Sequence, residues 1–242
     1  MTSWKEPSAA GKIVLVVSAH PDDVDFGAAG TIAKWTKQGA RASYCIVTDG
    51  DAGSLDPDMT PDELVPIRRD EQIAAAANVG VTEVRFLGYK DGTLSPSLEL
   101  RRDLAKVIRE IRPNWLICHS PERHWSHIGI SHPDHRAVGE ACLDAVYPDA
   151  RNPYAFPELL EQGLTPHVVE EVFTFGSPDP NVFIDVTDTF AQKMAALFSH
   201  VSQVGEAAGL EERMRNQMES SAQQAGLPSG SLAEAFRWLR TA

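Results

Sequence analysis

From Lys12 to Ile111, short β-branched runs alternate with longer segments whose apolar residues recur every three or four positions. That rhythm belongs to repeated βα units, and it narrows the fold more than any other feature of the chain. KIVLVV (Lys12 to Val17), ASYCIVT (Ala42 to Thr48), EVRFLG (Glu83 to Gly88) and NWLICH (Asn114 to His119) read as strands. Gly27 to Gln38, Pro61 to Val79 and Leu98 to Ile111 read as amphipathic helices. The first strand is apolar without a break, which argues that both its faces are covered and that it lies centrally. The expected fold class is α/β, a mostly parallel sheet flanked by helices.

Beyond the fourth strand a helix is expected from Pro133 to Val146, with proline at a favoured first position. Tyr147 to His167 is rich in proline and turn formers and reads as an irregular surface excursion. VVEEVFTFG and NVFIDVT suit two later strands, and Thr187 to Gln203 a helix capped by Thr187 or Asp188. Gly205 to Leu227 is polar and helix-prone. SLAEAFRWLRT is expected to close the chain as an amphipathic helix packed on the body or on a neighbouring subunit. The whole, 1–242, is read as one domain with a core at about 12–203 and a C-terminal helical extension at 204–242.

Acidic residues outnumber basic ones by 34 to 22, so a nucleic-acid backbone or an anionic membrane surface would meet net repulsion. No stretch reaches the roughly twenty apolar residues of a membrane span, and MTSWKEPSAAGK contains no apolar leader core. Cys45, Cys118 and Cys142 are isolated and read as reduced core residues. Together these point to a soluble, cytoplasmic protein whose partner is neither a nucleic acid nor a membrane.

The first strand ends in HPDD, His20 to Asp23. Adjacent carboxylates at the mouth of a buried strand are costly unless positive charge accompanies them. Ligand sites of open α/β sheets form at the carboxyl ends of strands, and SHPDHR (Ser131 to Arg136) follows the fourth strand, so both clusters face one crevice. Imidazole nitrogen and carboxylate oxygen are ordinary zinc donors, and a divalent cation would offset the paired aspartates.

AHPDD after an apolar strand, TDGDAG after the second, RRDEQIAAAANVGV in the next helix and HPDH before a later one occur together and in order. In these motifs the chain resembles the LmbE-like or PIG-L family of zinc-dependent de-N-acetylases, over roughly Lys12 to Gln203. The resemblance implies a Rossmann-like sheet, a Zn(2+) cofactor held by His20, Asp23 and His135, and Asp22 as general base. It implies His132 as the group that stabilises the tetrahedral intermediate or assists the leaving group, and Asp134 as a partner that orients an imidazole. Arg68, of the R-x-x-E pattern with Glu71, matches a substrate-contacting position, and His200 of HVSQ lies in a late element near the pocket. Short relatives often form trimers or hexamers, so a homo-oligomer is also implied.

Three-coordinate zinc keeps an open position, lowers the pKa of a water towards about 7 and polarises an amide carbonyl. Asp22 could then move the proton and a cationic His132 could hold the oxyanion. The leading expectation is removal of an N-acetyl group from an amino sugar or glycoconjugate. The alternatives are an amidase for a bulkier N-acyl group and a non-catalytic metal- or sugar-binding protein. Arg68 could equally belong to a solvated charged face with Arg69 and Asp70, Trp125 could stack on a sugar or anchor its loop, and His200 could be structural. Specificity is expected from the Trp125 loop and the Tyr147 to His167 excursion.

Overall fold

The computed structural model describes residues 6–54, 56–205 and 208–241. Residues 1–5 of the segment read for a leader, and 206–207 of the polar helix-prone segment, lie outside them. The strands are β1 (Ile13–Ser18), β2 (Arg41–Thr48), β3 (Glu83–Tyr89), β4 (Trp115–His119), β5 (Glu171–Phe175), β6 (Val182–Asp185) and β7 (Ala233–Arg240). The α-helices are α1 (Asp23–Gly27), α2 (Ala29–Lys37), α3 (Pro61–Asn78), α4 (Leu98–Ile111), α5 (Pro133–Val146), α6 (Pro157–Glu161), α7 (Phe190–Phe198), α8 (Val201–Val204) and α9 (Leu210–Gln224). The seven strands form one sheet in the order β3-β2-β1-β4-β5-β7-β6. β3, β2, β1, β4 and β5 pair in parallel, whereas β7 runs antiparallel to both its neighbours.

β1 is central and buried, as its unbroken apolar run requires. Alternation divides its side chains: Val14 and Val16 join one core layer, Leu15 and Val17 the other. The first layer holds an aromatic cluster in which Trp35 lies 4.8 Å from Trp115 and 5.4 Å from Phe173, centroid to centroid. α4 and α5 cover the second layer. α4 has Leu100, Leu104, Val107, Ile108 and Ile111 on its buried face and is capped by Ser97, whose side chain accepts the Leu100 N–H. Thr60 and Glu63 form a reciprocal capping box at the start of α3, next to Pro61.

The chain crosses from β3 at one edge to β4 beside β1, so the loops after β1 and β4 diverge and leave a crevice at their carboxyl ends. Gly139 lets α5 lie against this end of β4: a Cβ there would meet His119 O at 2.6 Å and Pro121 N at 2.9 Å. The Tyr147 to His167 excursion is pinned elsewhere. The buried Arg109 donates to the carbonyls of Asp149, Asn152 and Ala155 at 2.9, 2.9 and 3.0 Å, and the His167 ring meets Pro113 O, before β4 begins, at 2.7 Å.

Two expectations are corrected. The Thr187 to Gln203 segment is a 3-10 turn, α7 and α8, interrupted at Ser199 and His200, and neither expected cap bonds a helix N–H through its side chain. SLAEAFRWLRT is strand β7 rather than a helix, so 204–242 is not a helical appendage: α9 is its helix, and β7 fills the gap between β5 and β6. Leu232, Phe236 and Trp238 join one core layer and Leu239 the other, the period-two division of a strand covered on both faces.

β7 also braces the crevice. Glu234 accepts the N–H groups of Gly30 and Thr31 at 3.0 and 2.8 Å and pairs with Lys193 at 2.7 Å. Lys193 Nζ donates onward to Asp25 O and Phe26 O at 2.9 and 2.6 Å, tying the start of the chain to its end. Both partners are buried, so Glu234→Leu strands an ammonium and two amide donors. It is expected to cost about 3–5 kcal/mol of unfolding free energy in urea titration. A loss below about 1 kcal/mol would show that the pair is not part of the framework.

Candidate active site

His20 and Asp23 stand beyond β1, and His132 and His135 at the start of α5, where His132 is the N-cap residue and its Nδ1 accepts the Asp134 N–H at 3.2 Å. The crevice brings them together. Asp23 Oδ2 lies 3.1 Å from His20 Nδ1, Asp23 Oδ1 lies 3.0 Å from His135 Nε2, and the two ring nitrogens are 3.3 Å apart. A tetrahedral ion with bonds of about 2.0–2.1 Å separates its donors by about 3.3–3.4 Å, so the two ring nitrogens have the spacing of two such donors, and the Asp23 carboxylate turns one oxygen to each.

The rest of each ring defines what the triangle offers. His135 Nδ1 faces Ile130 O at 3.1 Å, and His20 Nε2 faces Asp91 Oδ1 at 3.0 Å and Asp134 Oδ2 at 3.3 Å. Each of these acceptors calls for a proton on the nitrogen it meets, so in the neutral rings His20 Nδ1 and His135 Nε2 present lone pairs to the centre beside a carboxylate. Three converging electron-rich atoms fit a cation. Burial alone would lower the His20 pKa, yet Asp23, Asp134 and Asp91 raise it to about 12, because three carboxylates around one ring favour positive charge there. Despite burial, His135, His20 and His119 hold the Asp23 carboxyl well below its usual range.

Asp22 adjoins this set without sharing it. Its carboxylate meets Arg68 Nη2 at 3.2 Å, and its pKa is pushed up to about 7, first by burial and then by Asp23, against the pull of Arg68, His200 and His20. His132 stands edge-on to His20 at 4.9 Å. Burial and the neighbouring His20 and His135 lower its pKa, which works against the expected imidazolium and favours the neutral ring. With Nδ1 occupied as an acceptor, the proton of the neutral ring is on Nε2, which remains a donor. Asp134 is fully buried, accepts the Gly92 and Leu94 N–H groups at 2.7 and 3.1 Å, and touches His20.

Arg68 is only 3% exposed. It does not lie on a solvated face: its guanidinium donates to Gly50 O at 2.9 Å and Pro21 O at 2.7 Å, buttressing the loop that carries Asp22. Arg69 points elsewhere, to Asp49 at 2.6 Å. His200 is fully buried and contacts Asp25 at 2.8 Å, outside the His20–Asp23–His135 triangle.

Two participants escaped the sequence reading. Asp91, in the turn after β3, shares His20 Nε2 with Asp134. His119, the last residue of β4, stacks on the His135 ring at 4.2 Å and 19°. Its Nε2 accepts the Ala19 N–H at 3.1 Å and also lies 3.2 Å from Asp23 Oδ2, and burial lowers its pKa to about 4. Its only sequence signal was a histidine at the carboxyl end of a strand, and Asp91 looked like any turn aspartate.

A cavity of about 300 Å³ opens over Asp23, His119 and His135. Phe26, Ile130, Phe175 and Met214 form its apolar side, and His127 and Gln217 also line it. The lining includes no residue of the Tyr147 to His167 excursion, which correlates with its anchorage near Pro113; α9 contributes instead. Trp125 is 84% exposed and stands against Arg123.

The family description "PIG-L: GlcNAc-PI de-N-acetylase" matches residues 15–146. Diacetylchitobiose deacetylase of Thermococcus kodakarensis is 32% identical over 83% of this chain and 73% of its own length. A probable N-acetyl-alpha-D-glucosaminyl L-malate deacetylase 2 of Bacillus anthracis is 32% identical over 78% of this chain and 80% of its own. Among solved structures, N,N'-diacetylchitobiose deacetylase from Pyrococcus horikoshii, complexed with its inhibitor MPG, superposes with a TM-score of 0.87 at 30% identity, covering 95% of this chain and 84% of that one.

Proposed function

The chain belongs to the PIG-L (LmbE-like) family, and from that premise we propose that it is a zinc-dependent hydrolase that removes the N-acetyl group from an N-acetylated amino sugar or glycoconjugate. The observation that carries the reading is the convergence of His20 Nδ1 and His135 Nε2, 3.3 Å apart, on the Asp23 carboxylate, whose Oδ2 lies 3.1 Å from the first and Oδ1 3.0 Å from the second, with an unshared Asp22 carboxylate beside them. The deacetylases similar in sequence support the choice of bond.

His20, Asp23 and His135 would hold the ion. A bound Zn(2+) supplies Lewis acidity, lowering the pKa of a water and polarising the amide carbonyl. Asp22 takes a proton from the attacking water and later passes it to the departing amine. His132 donates its Nε2–H to the developing oxyanion. Asp134 and Asp91 keep the His20 ring oriented with Nδ1 towards the ion, and Arg68 holds the Asp22 loop rather than the substrate.

Asp22 must be ionised to act as base. Its raised pKa therefore predicts that kcat/KM is full above the Asp22 pKa and falls about tenfold per pH unit below it. The acid limb belongs at or below about pH 7, because a cation at Asp23 offsets the repulsion that contributes to the shift. A profile flat down to pH 4 would remove Asp22 from the proton-transfer step.

The apolar side of the cleft, Phe26, Ile130, Phe175 and Met214, favours a second reading within the same chemistry, an amidase for a longer acyl chain. Mass analysis of products from glucosamine and chitobiose derivatives carrying acetyl, butyryl and octanoyl groups separates the two. Free amine mainly from the acetyl compounds supports the first reading, mainly from the longer chains the second, and none from any compound overturns both. We place the protein in the cytoplasm, in keeping with three buried free cysteines. Among the described residues no helix is long and apolar enough to cross a membrane.

A further inference from the structure

Asp22 has φ +92° and ψ −32°, a backbone setting that a residue with a side chain keeps only when its surroundings hold it there. Arg68 grips one side through Pro21 O. On the other side, the Asp22 N–H is accepted by Gln72 Oε1 at 2.9 Å. Gln72 Nε2 donates in turn to Asp25 Oδ2 at 2.9 Å, and the same oxygen meets His200 Nε2 at 2.8 Å. A backbone N–H can only donate, so the carbonyl end of the Gln72 amide must face Asp22 and the amino end must face Asp25. Reversing the amide would break both bonds.

Gln72, Asp25 and His200 are each 0% exposed, so none of them can touch a substrate in the cleft. They come from three places in the chain, α3, α1 and the junction between α7 and α8, and converge on one amide hydrogen of the catalytic loop. Asp25 is also where Lys193 grips the backbone of α1, through Asp25 O at 2.9 Å. Gln72 therefore leans on a carboxylate whose own position is fixed at the main chain as well as at the side chain.

We propose that Gln72, oriented by Asp25 and His200, is a positioning residue for the proton-transfer step. It holds the Asp22 N–H so that the carboxylate keeps its left-handed backbone and stays aimed into the crevice. This rests on Asp22 being the base. A misplacement of about 1 Å in a reacting group can cost about 10²-fold in rate without touching substrate affinity, so the signature is a fall in kcat at constant KM.

The experiment uses the zinc-loaded chain of residues 1–242. Gln72→Met keeps the volume and removes the acceptor. It is expected to lower kcat roughly 10- to 100-fold, with KM within about twofold and one zinc per chain retained. His200→Asn weakens the far end of the chain and is expected to lower kcat roughly 3- to 10-fold, again at constant KM. In the Gln72→Met background it should add nothing, because its effect passes through the missing amide.

If Gln72→Met does not fold, His200→Asn alone decides, through the same contrast of kcat and KM. Unchanged kcat in the folded variants, a rise in KM in place of the fall in kcat, or additive effects in the double variant would overturn the proposal. Asp22→Asn, measured in parallel, separates the two levels. If it keeps full turnover, the base assignment fails and the positioning role fails with it; if it loses turnover while Gln72→Met does not, the positioning role alone is wrong.

Discussion

Asp22→Asn is expected to lower kcat by about 10²–10⁴-fold while leaving KM and zinc content unchanged. Asparagine keeps the size of the side chain, offers an oxygen to Arg68, and is among the residues that tolerate positive φ. What it loses is the ability to take a proton near neutral pH. Because Asp22 lies outside the His20–Asp23–His135 triangle, the substitution should not disturb the ion, and the variant should still bind substrate. Kinetics on protein of measured zinc content check this. Turnover within threefold of the parent would mean that another group moves the proton, and loss of zinc would mean that Asp22 is a ligand.

The second large effect is expected at His135. His135→Ala removes one of three converging donors, leaving His20 Nδ1 and one carboxylate. Zinc affinity should fall by more than the roughly 10–100-fold that loss of a supporting hydrogen-bond partner costs, and turnover should vanish with it. Asp134→Asn provides the comparison. It weakens the support behind His20 Nε2, which Asp91 shares, and the hold on the Gly92 and Leu94 N–H groups, but removes none of the three donors, so its effect on affinity should not exceed that range. Competition titration against a chromogenic chelator ranks the two variants, and equal affinities would show that His135 does not hold the ion.

Much of this site could be read from local sequence, because β1, α4 and α5 are elements whose local preferences agree with their tertiary roles. The start of α5 followed from Pro133, and the paired clusters followed from the ends of two strands. The C-terminal strand could not be read in that way. Leu232, Ala235, Phe236 and Leu239 have helical spacing, and Ala, Glu, Leu and Arg favour helices, so local preference pointed one way. Two unpaired strand edges pointed the other, and the pairing of β7 with both β5 and β6 prevailed.

Arg68 illustrates a second limit. The run RRDE leaves Arg68 between a substrate contact and a solvated face, and only the packing of α3 on the β1 loop turns it inward while Arg69 goes to Asp49. His132 illustrates a third. Its pKa is lowered by burial and by His20 and His135, and of these the motif HPDH shows only His135. Asp91 was invisible for the related reason that its partner, His20, lies 71 positions away in the chain, across the sheet edge.

The central claim is that one ion sits among His20, Asp23 and His135 with Asp22 left free. Diffraction from crystals of the zinc-loaded protein, recorded on both sides of the zinc absorption edge, tests it directly. The expected result is a single anomalous peak per chain, about 2.0–2.2 Å from His20 Nδ1, an Asp23 oxygen and His135 Nε2, and clear of the Asp22 carboxylate. A peak bonded to Asp22, a peak held by Asp91 and Asp134 alone, or no peak among these side chains would contradict it.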